Sequence, residues 1–249
     1  MLPDFTPIQW LLVGIAATGI GISKSGLPGI SLLHVVLFAQ LFPGIQSTGV
    51  VLPMLVAGDL GAVWLFRRHA SWPHVGRTLP PAIAGILVGW WIMGRLPSDR
   101  FAPLIGSIVL VLSGLQALRD WRPGLWQSAP HAPAFAWAMG FLAGVTTMLA
   151  NAAGPVMGLY LLAVALPKDA FVGTSAWFFL LVNLIKVPFS AQLGLITPRT
   201  LVFNALLVPI IFGGLFLGRA VVSRLPQKAF DVLVLAFAVV ASLRLLGAF

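Results

Sequence analysis

The chain has 249 residues, of which 59% are hydrophobic and 8% charged, with no cysteine and a formal net charge of +9. An ordinary soluble domain carries roughly 25% charged residues, and a soluble fold this poor in charge would expose very large apolar patches. A water-soluble globule is thereby excluded, and so are disulfides, thiolate chemistry and cysteine-based metal sites.

The N-terminus reads Met1-Leu2-Pro3-Asp4-Phe5 and lacks the basic n-region of a cleavable signal peptide, so the first apolar stretch is expected to stay as structure. A membrane-crossing helix needs about 20 apolar residues. The first half opens with a short apolar segment at 11–22, followed by spans at 30–41, 50–66, 79–93 and 101–118, the first of them short. A polar linker over 119–133, rich in Arg, Asp, Trp, Pro and Gly, reads as an interfacial loop. The second half opens at 134–149 and continues with spans at 156–166, 171–189, 201–222 and 230–246. The expected fold is all-α: one transmembrane domain over 1–249, a polytopic helical bundle of about 8–10 helical segments in two repeats. Repeat 1 covers about 8–119, the linker 120–133 and repeat 2 about 134–247.

The repeats are legible as offsets. Pro43 pairs with Pro167, Gly49 with Gly173 and Asp59 with Asn183 at an offset of 124 residues. At an offset of 129, Pro80 pairs with Pro209, Gly85 with Gly214, Gly89 with Gly218 and Phe101 with Phe230. The tripeptide Arg95-Leu96-Pro97 returns as Arg224-Leu225-Pro226 at that same offset. Charge decides their orientation. If the first two segments of each half form a hairpin that returns to its starting side, the second copy is inverted. Arg67, Arg68, Arg77, Arg119, Arg122, Lys168, Arg219, Arg224 and Lys228 then share one side, and only Arg95, Arg100, Arg199 and Arg244 the other. Parallel copies split the same charges seven against six. The positive-inside rule favours inverted repeats with both termini outside.

The candidate site lies at two Gly- and Pro-rich interruptions in equivalent places of the halves, residues 19–29 and 144–155. Broken backbone at membrane depth is tolerated only where protein or a water-filled cavity covers it. Paired breaks in two halves mark a transporter's binding site, and a helix starting after each break would point its N–H groups at an anion. Lys24 stands between Ser23 and Ser25, where a charge costs from ~2.5 to over 10 kcal/mol if it stays in hydrocarbon. It either snorkels to the interface or pairs with a bound anion, together with Ser23, Ser25 and the backbone at Gly26. Asn151, ahead of Gly154, is its expected uncharged counterpart. Asp59 lies mid-span, and its partner position Asn183 is within one helical turn of Lys186. Asp59 and Lys186 therefore form either an interhelical ion pair or part of a coupling and gating device that includes Asn183, with Lys186 also a substrate-site candidate. His34, Gln40, Thr48, Ser175 and Gln192 are further polar groups for a cavity wall or for packing.

The histidines show no metal-ligand spacing, so neither metal nor cofactor is expected. Enzyme motifs are absent. The basic residues form no stripe and no base-reading motif, so nucleic acid is not an expected partner. The expected partners are a small anionic substrate and the lipid bilayer of the cell inner membrane, with an oligomer left open.

The stretch Lys24-Ser25-Gly26-Leu27-Pro28-Gly29 resembles the first Gly-rich signature of the sulfite exporter TauE/SafE family, and Asn151-Ala152-Ala153-Gly154-Pro155 the second. Gly58-Asp59, Phe66-Arg67-Arg68-His69 and the run from Phe171 to Phe179 are similar to one branch of it. Many members carry three consecutive glycines where this chain has Ser23-Lys24-Ser25-Gly26. The resemblance implies a transporter of a sulfur-containing oxyanion such as sulfite, thiosulfate or an organosulfonate, and not an enzyme. The rival from another class is a non-transporting membrane module that binds a partner or anchors an enzyme.

Overall fold

The computed structural model describes residues 4–26, 30–42, 44–122 and 133–221, with isolated positions at 239, 243 and 246. Among the described residues the chain forms nine α-helices and no strand. They are α1 (Pro7–Ser23), α2 (Ser31–Leu41), α3 (Gln46–Phe66), α4 (Trp72–Met93), α5 (Phe101–Trp121), α6 (Pro133–Ala150), α7 (Ala153–Ala163), α8 (Lys168–Gln192) and α9 (Pro198–Val221). Five of these, α3, α4, α6, α8 and α9, are long and apolar enough to cross a membrane. The protein is an all-α polytopic membrane bundle.

Local chemistry sets the helix ends. Thr6 and Gln9 form a reciprocal capping box at the start of α1, the Gln9 N–H donating to Thr6 Oγ1 at 3.3 Å and the Thr6 N–H to Gln9 Oε1 at 2.9 Å. Pro7 follows where its missing N–H costs nothing. Pro53, Pro80, Pro81, Pro188 and Pro209 all lie inside helices. That corrects two expected boundaries. Prolines are tolerated in membrane helices because neighbouring groups satisfy the freed carbonyls. The span expected from 79 therefore starts at Trp72, and that expected to end at 189 runs to Gln192. The span expected from 201 starts at Pro198, a first position where the missing N–H again costs nothing. Helix α5 continues to Trp121, into the expected linker. The rest of that linker, 123–132, lies outside the described residues, as does the expected span 230–246 save for positions 239, 243 and 246.

Helices α2 and α7 have 11 residues each. At 1.5 Å per residue that is ~16 Å, about half of a ~30 Å hydrocarbon core. Each follows one of the two predicted breaks and packs against the helix before it, α2 on α1 and α7 on α6.

The tightest crossings are α4 on α6 and α1 on α9, and glycine makes both. A Cβ on Gly144 would strike the Ala82 carbonyl oxygen, and one on Gly85 that of Phe141. A Cβ on Gly21 would strike the Ile211 carbonyl oxygen, and one on Gly214 that of Thr18. These are one contact pattern seen twice: Gly85 and Gly214 differ by 129 residues, Gly21 and Gly144 by 123. Gly144→Ala is expected to lower the thermal midpoint of the detergent-solubilised protein, since overpacking a filled contact typically costs ~1–3 kcal/mol. Gly14→Ala, which points into open space, is the matched control. Equal midpoints for the two variants would refute the close crossing.

The core follows the same division. Val13, Ala17, Ile20, Met54, Phe203 and Ile211 form one buried cluster, where α1 and α3 meet α9. Ile86, Phe101, Ala143, Met157 and Phe178 belong to a second, built from α4 to α8 with Leu32, Val35 and Val36 of α2. Large apolar side chains on the outer faces, among them Leu60, Trp64, Trp91, Phe216 and Leu217, are exposed. In water such a surface would aggregate; in a bilayer it is the lipid contact.

Candidate anion site

The two breaks end α1 and α6 in different ways. Helix α1 closes on Lys24, whose N–H donates to the Gly21 carbonyl at 3.1 Å, and Gly26 follows in the left-handed region at φ +107°. Helix α6 ends at Ala150, and Asn151 takes φ 54°. Among non-glycine residues Asn accepts that conformation best. The Ala152 N–H then donates back to the Thr146 carbonyl at 3.2 Å, and α7 starts at Ala153. The turn leaves the Asn151 side chain facing the bundle interior.

Three charged side chains converge between the breaks. Lys24 Nζ lies 2.6 Å from Asp59 Oδ1, with the lysine side chain nine-tenths buried and Asp59 wholly so. The Lys24 ammonium also stands over the Phe179 ring, 4.9 Å from its centroid. Gly58 backs the lysine stem, since a Cβ there would stand in van der Waals contact with Lys24 Cγ. Asn183 Nδ2 donates to the other Asp59 oxygen at 2.7 Å. Lys186, 1% exposed, donates to Asn151 Oδ1 at 2.6 Å, Thr147 Oγ1 at 3.0 Å and Asn183 Oδ1 at 3.2 Å. All three ammonium protons thus have neutral acceptors. Asn151 Nδ2 donates in turn to the Thr48 carbonyl at 2.9 Å. The result is one buried chain of contacts, Lys24–Asp59–Asn183–Lys186–Asn151, with two formal positive charges and one negative.

The expected pairing of Asp59 with Lys186 is corrected by this geometry. Asp59 pairs directly with Lys24, and Lys186 reaches it only through Asn183. Snorkelling of Lys24 is also set aside, since its side chain is buried against Asp59 and Phe179.

A cavity of about 30 Å³ opens beside this chain, walled by Ser23, Lys24, His34, Thr147, Asn151, Gly154 and Asn183 among others. Both breaks contribute to it. A second void of about 20 Å³, which includes Gly26, Ala62 and Ser175, shares Ser23, Lys24 and Phe179 with the first. Lys24 and Phe179 form the partition between the two.

The sequence-predicted residues divide accordingly. Ser23, Lys24, Asn151, Gly154 and Asn183 line the first void and Gly26 the second. Lys186 and Asp59 sit immediately behind them. Ser25 is not brought in: its hydroxyl donates to the Ile22 carbonyl at 2.7 Å and lies against the Gly218 backbone. The Ser23 hydroxyl is likewise committed, to the Ile20 carbonyl at 2.7 Å. Of the secondary candidates, His34 and Ser175 line the voids, Thr48 supplies a carbonyl, and Gln40 and Gln192 are exposed. Thr147 and Phe179 were not singled out in the sequence. Thr147 had a usable signal, for it stands one helical turn before Asn151.

A bundle of apolar helices with its buried charges gathered at two mid-chain breaks defines the transporter class of membrane protein. The chain belongs to the sulfite exporter TauE/SafE family, whose profile matches residues 11–245. It is a family of transporters and not of enzymes. No curated protein and no solved structure matches the chain.

Proposed function

We propose that this protein exports a small sulfur-containing oxyanion, such as sulfite, thiosulfate or an organosulfonate, across the cell inner membrane. The anion would bind near the midplane between the two broken segments. One observation carries the reading: two lysines and one aspartate, all buried, meet beside a cavity to which both breaks contribute. A single carboxylate leaves the cluster one positive charge in excess, and a low-dielectric surround strengthens its pull on an anion. A space of 30 Å³ holds about one water molecule, so the walls must part to admit an oxyanion. The partition of Lys24 and Phe179 is the natural moving part. Expelling a monovalent anion from a cell negative inside gains ~2.3 kcal/mol per 100 mV, so export needs no motor.

The test is anion flux in proteoliposomes with a panel of sulfite, thiosulfate, sulfate and sulfonates. A non-transporting module would move none of them. The inverted arrangement predicts that single cysteines placed at Ser71, Ala129 and Gln227 are all labelled from the cytoplasmic side. Opposite sides for Ser71 and Gln227 would favour parallel copies instead.

A further inference from the structure

His34 is 1% exposed, it lines the first void, and neither ring nitrogen has a hydrogen-bond partner. A buried imidazole with both nitrogens unsatisfied is costly unless something else occupies them. No backbone carbonyl or side chain does so here, although the ring forms part of a polar wall with Lys24, Asn151 and Asn183. The missing partner belongs in the cavity.

The chemistry of the ring specifies that partner further. A neutral imidazole presents one N–H donor and one lone pair, whichever tautomer it takes. The N–H can serve any anion oxygen. The lone pair cannot: it repels a bare anionic oxygen and accepts only from a group that carries its own proton. Lys24 and the remaining amide protons of Asn151 and Asn183 supply the donors, so an acceptor in this wall is the exception. The titratable groups on the helices packed against α2 are Lys24 at the end of α1, Asp59 on α3, Tyr160 on α7, and Arg119 and Asp120 at the end of α5. Tyr160 is held by His74 at 2.8 Å. Asp59 is the sole buried acid among the described residues and already faces Lys24. A third positive charge on His34 would have no counter-charge. The single excess positive charge of the cluster matches a singly charged ligand.

We infer that His34 is a specificity-determining residue, and that the site takes an oxyanion in its singly charged, protonated form, with the X–O–H group donating to the imidazole lone pair. For sulfite the transported species is then hydrogen sulfite. The inference rests on the transport reading above and narrows it.

The experiment compares sulfite, methanesulfonate and sulfate as substrates of the reconstituted wild-type protein, with apparent affinity and rate measured over a pH series. Methanesulfonate matches hydrogen sulfite in charge but has no O–H; sulfate is doubly charged. Sulfite transport is expected to follow the monoprotonated fraction, and methanesulfonate to bind at least about tenfold more weakly, the size of one lost hydrogen bond in a buried polar site. His34→Gln, which still offers both an N–H donor and an acceptor, should retain the preference. His34→Leu should abolish it, because sulfite then loses both its contacts to the ring whereas methanesulfonate loses only the N–H contact. Equal affinities for sulfite and methanesulfonate in the wild type would overturn the inference without any variant, as would a preference unchanged in His34→Leu. Absence of flux for every anion would instead overturn the transport reading itself, and the His34 assignment with it.

Discussion

Lys24→Gln is expected to weaken anion binding by about tenfold or more, because a charge-assisted hydrogen bond is worth ~1.5–3 kcal/mol. The variant has a second consequence. It leaves Asp59, wholly buried and 2.6 Å from the lost ammonium, without its counter-charge, and breaking a buried pair from one side costs ~3–5 kcal/mol. Stability and affinity therefore fall together and must be separated. The double variant Lys24→Gln/Asp59→Asn does this, since two neutral amides can bond to each other where the ion pair stood. It should recover the thermal midpoint but not the affinity. Recovery of both would make Lys24 a packing residue. Asn151→Ala is the comparison in the second half. It removes the bonds to Lys186 and Thr48 and leaves at φ 54° a residue that lacks the amide by which Asn tolerates the left-handed region. Its effect on affinity should be smaller than that of Lys24→Gln, because no charge leaves the cluster, although the Lys186 ammonium loses one acceptor.

Asp59→Asn is expected to hold the anion at least as tightly as the wild type and to transport it more slowly. In the wild type Asp59 competes with the substrate for the Lys24 ammonium, which has one short ionic partner in the closed arrangement. Removing that competitor raises the charge of the cluster from one excess positive to two and slows release. A coupling role for the carboxylate makes a further forecast: the pH dependence of transport should disappear in Asp59→Asn. Equilibrium binding and flux over a pH series check both. Unchanged turnover together with an unchanged pH profile would leave Asp59 only the role of neutralising Lys24.

Much of this was readable from the chain because a membrane restricts the choices. Apolar run length gave the helices, and Gly and Pro gave the two interruptions, since the same residues that break backbone locally also permit close helix crossings. The offsets of 124 and 129 were visible in the recurring Arg-Leu-Pro tripeptide and in the Pro and Gly pairs upstream of it, a combination that chance rarely produces. The register of α1 on α6 was not, because its one clear landmark, Gly21 with Gly144, lies in segments already crowded with glycine. The start expected at 79 falls too late because the local cost of Pro80 and Pro81 says nothing about the neighbours that cover them. The partner of Asp59 was missed for a similar reason. Sequence spacing places Lys186 one turn from Asn183 on the same helix, whereas Lys24 reaches Asp59 across an interface between α1 and α3 that no single-chain periodicity encodes. His34 was seen only as one polar residue among several. Its empty ring nitrogens are a property of the packed state.

In the proposed repeat Asp59 and Asn183 are counterparts, 124 residues apart, and they touch each other at 2.7 Å. On that reading their meeting point is where the two halves face one another, so a residue there confronts its own image. Two identical half-length chains assembled as a dimer would have to set the same side chain against itself. Paired carboxylates would repel at that distance, and paired amides would leave the neighbouring lysines without any counter-charge. A single continuous chain is free of that constraint. It can hold an acid on one side of the centre and an amide on the other, and a lone negative charge flanked by two positive ones is an arrangement that strict twofold symmetry forbids.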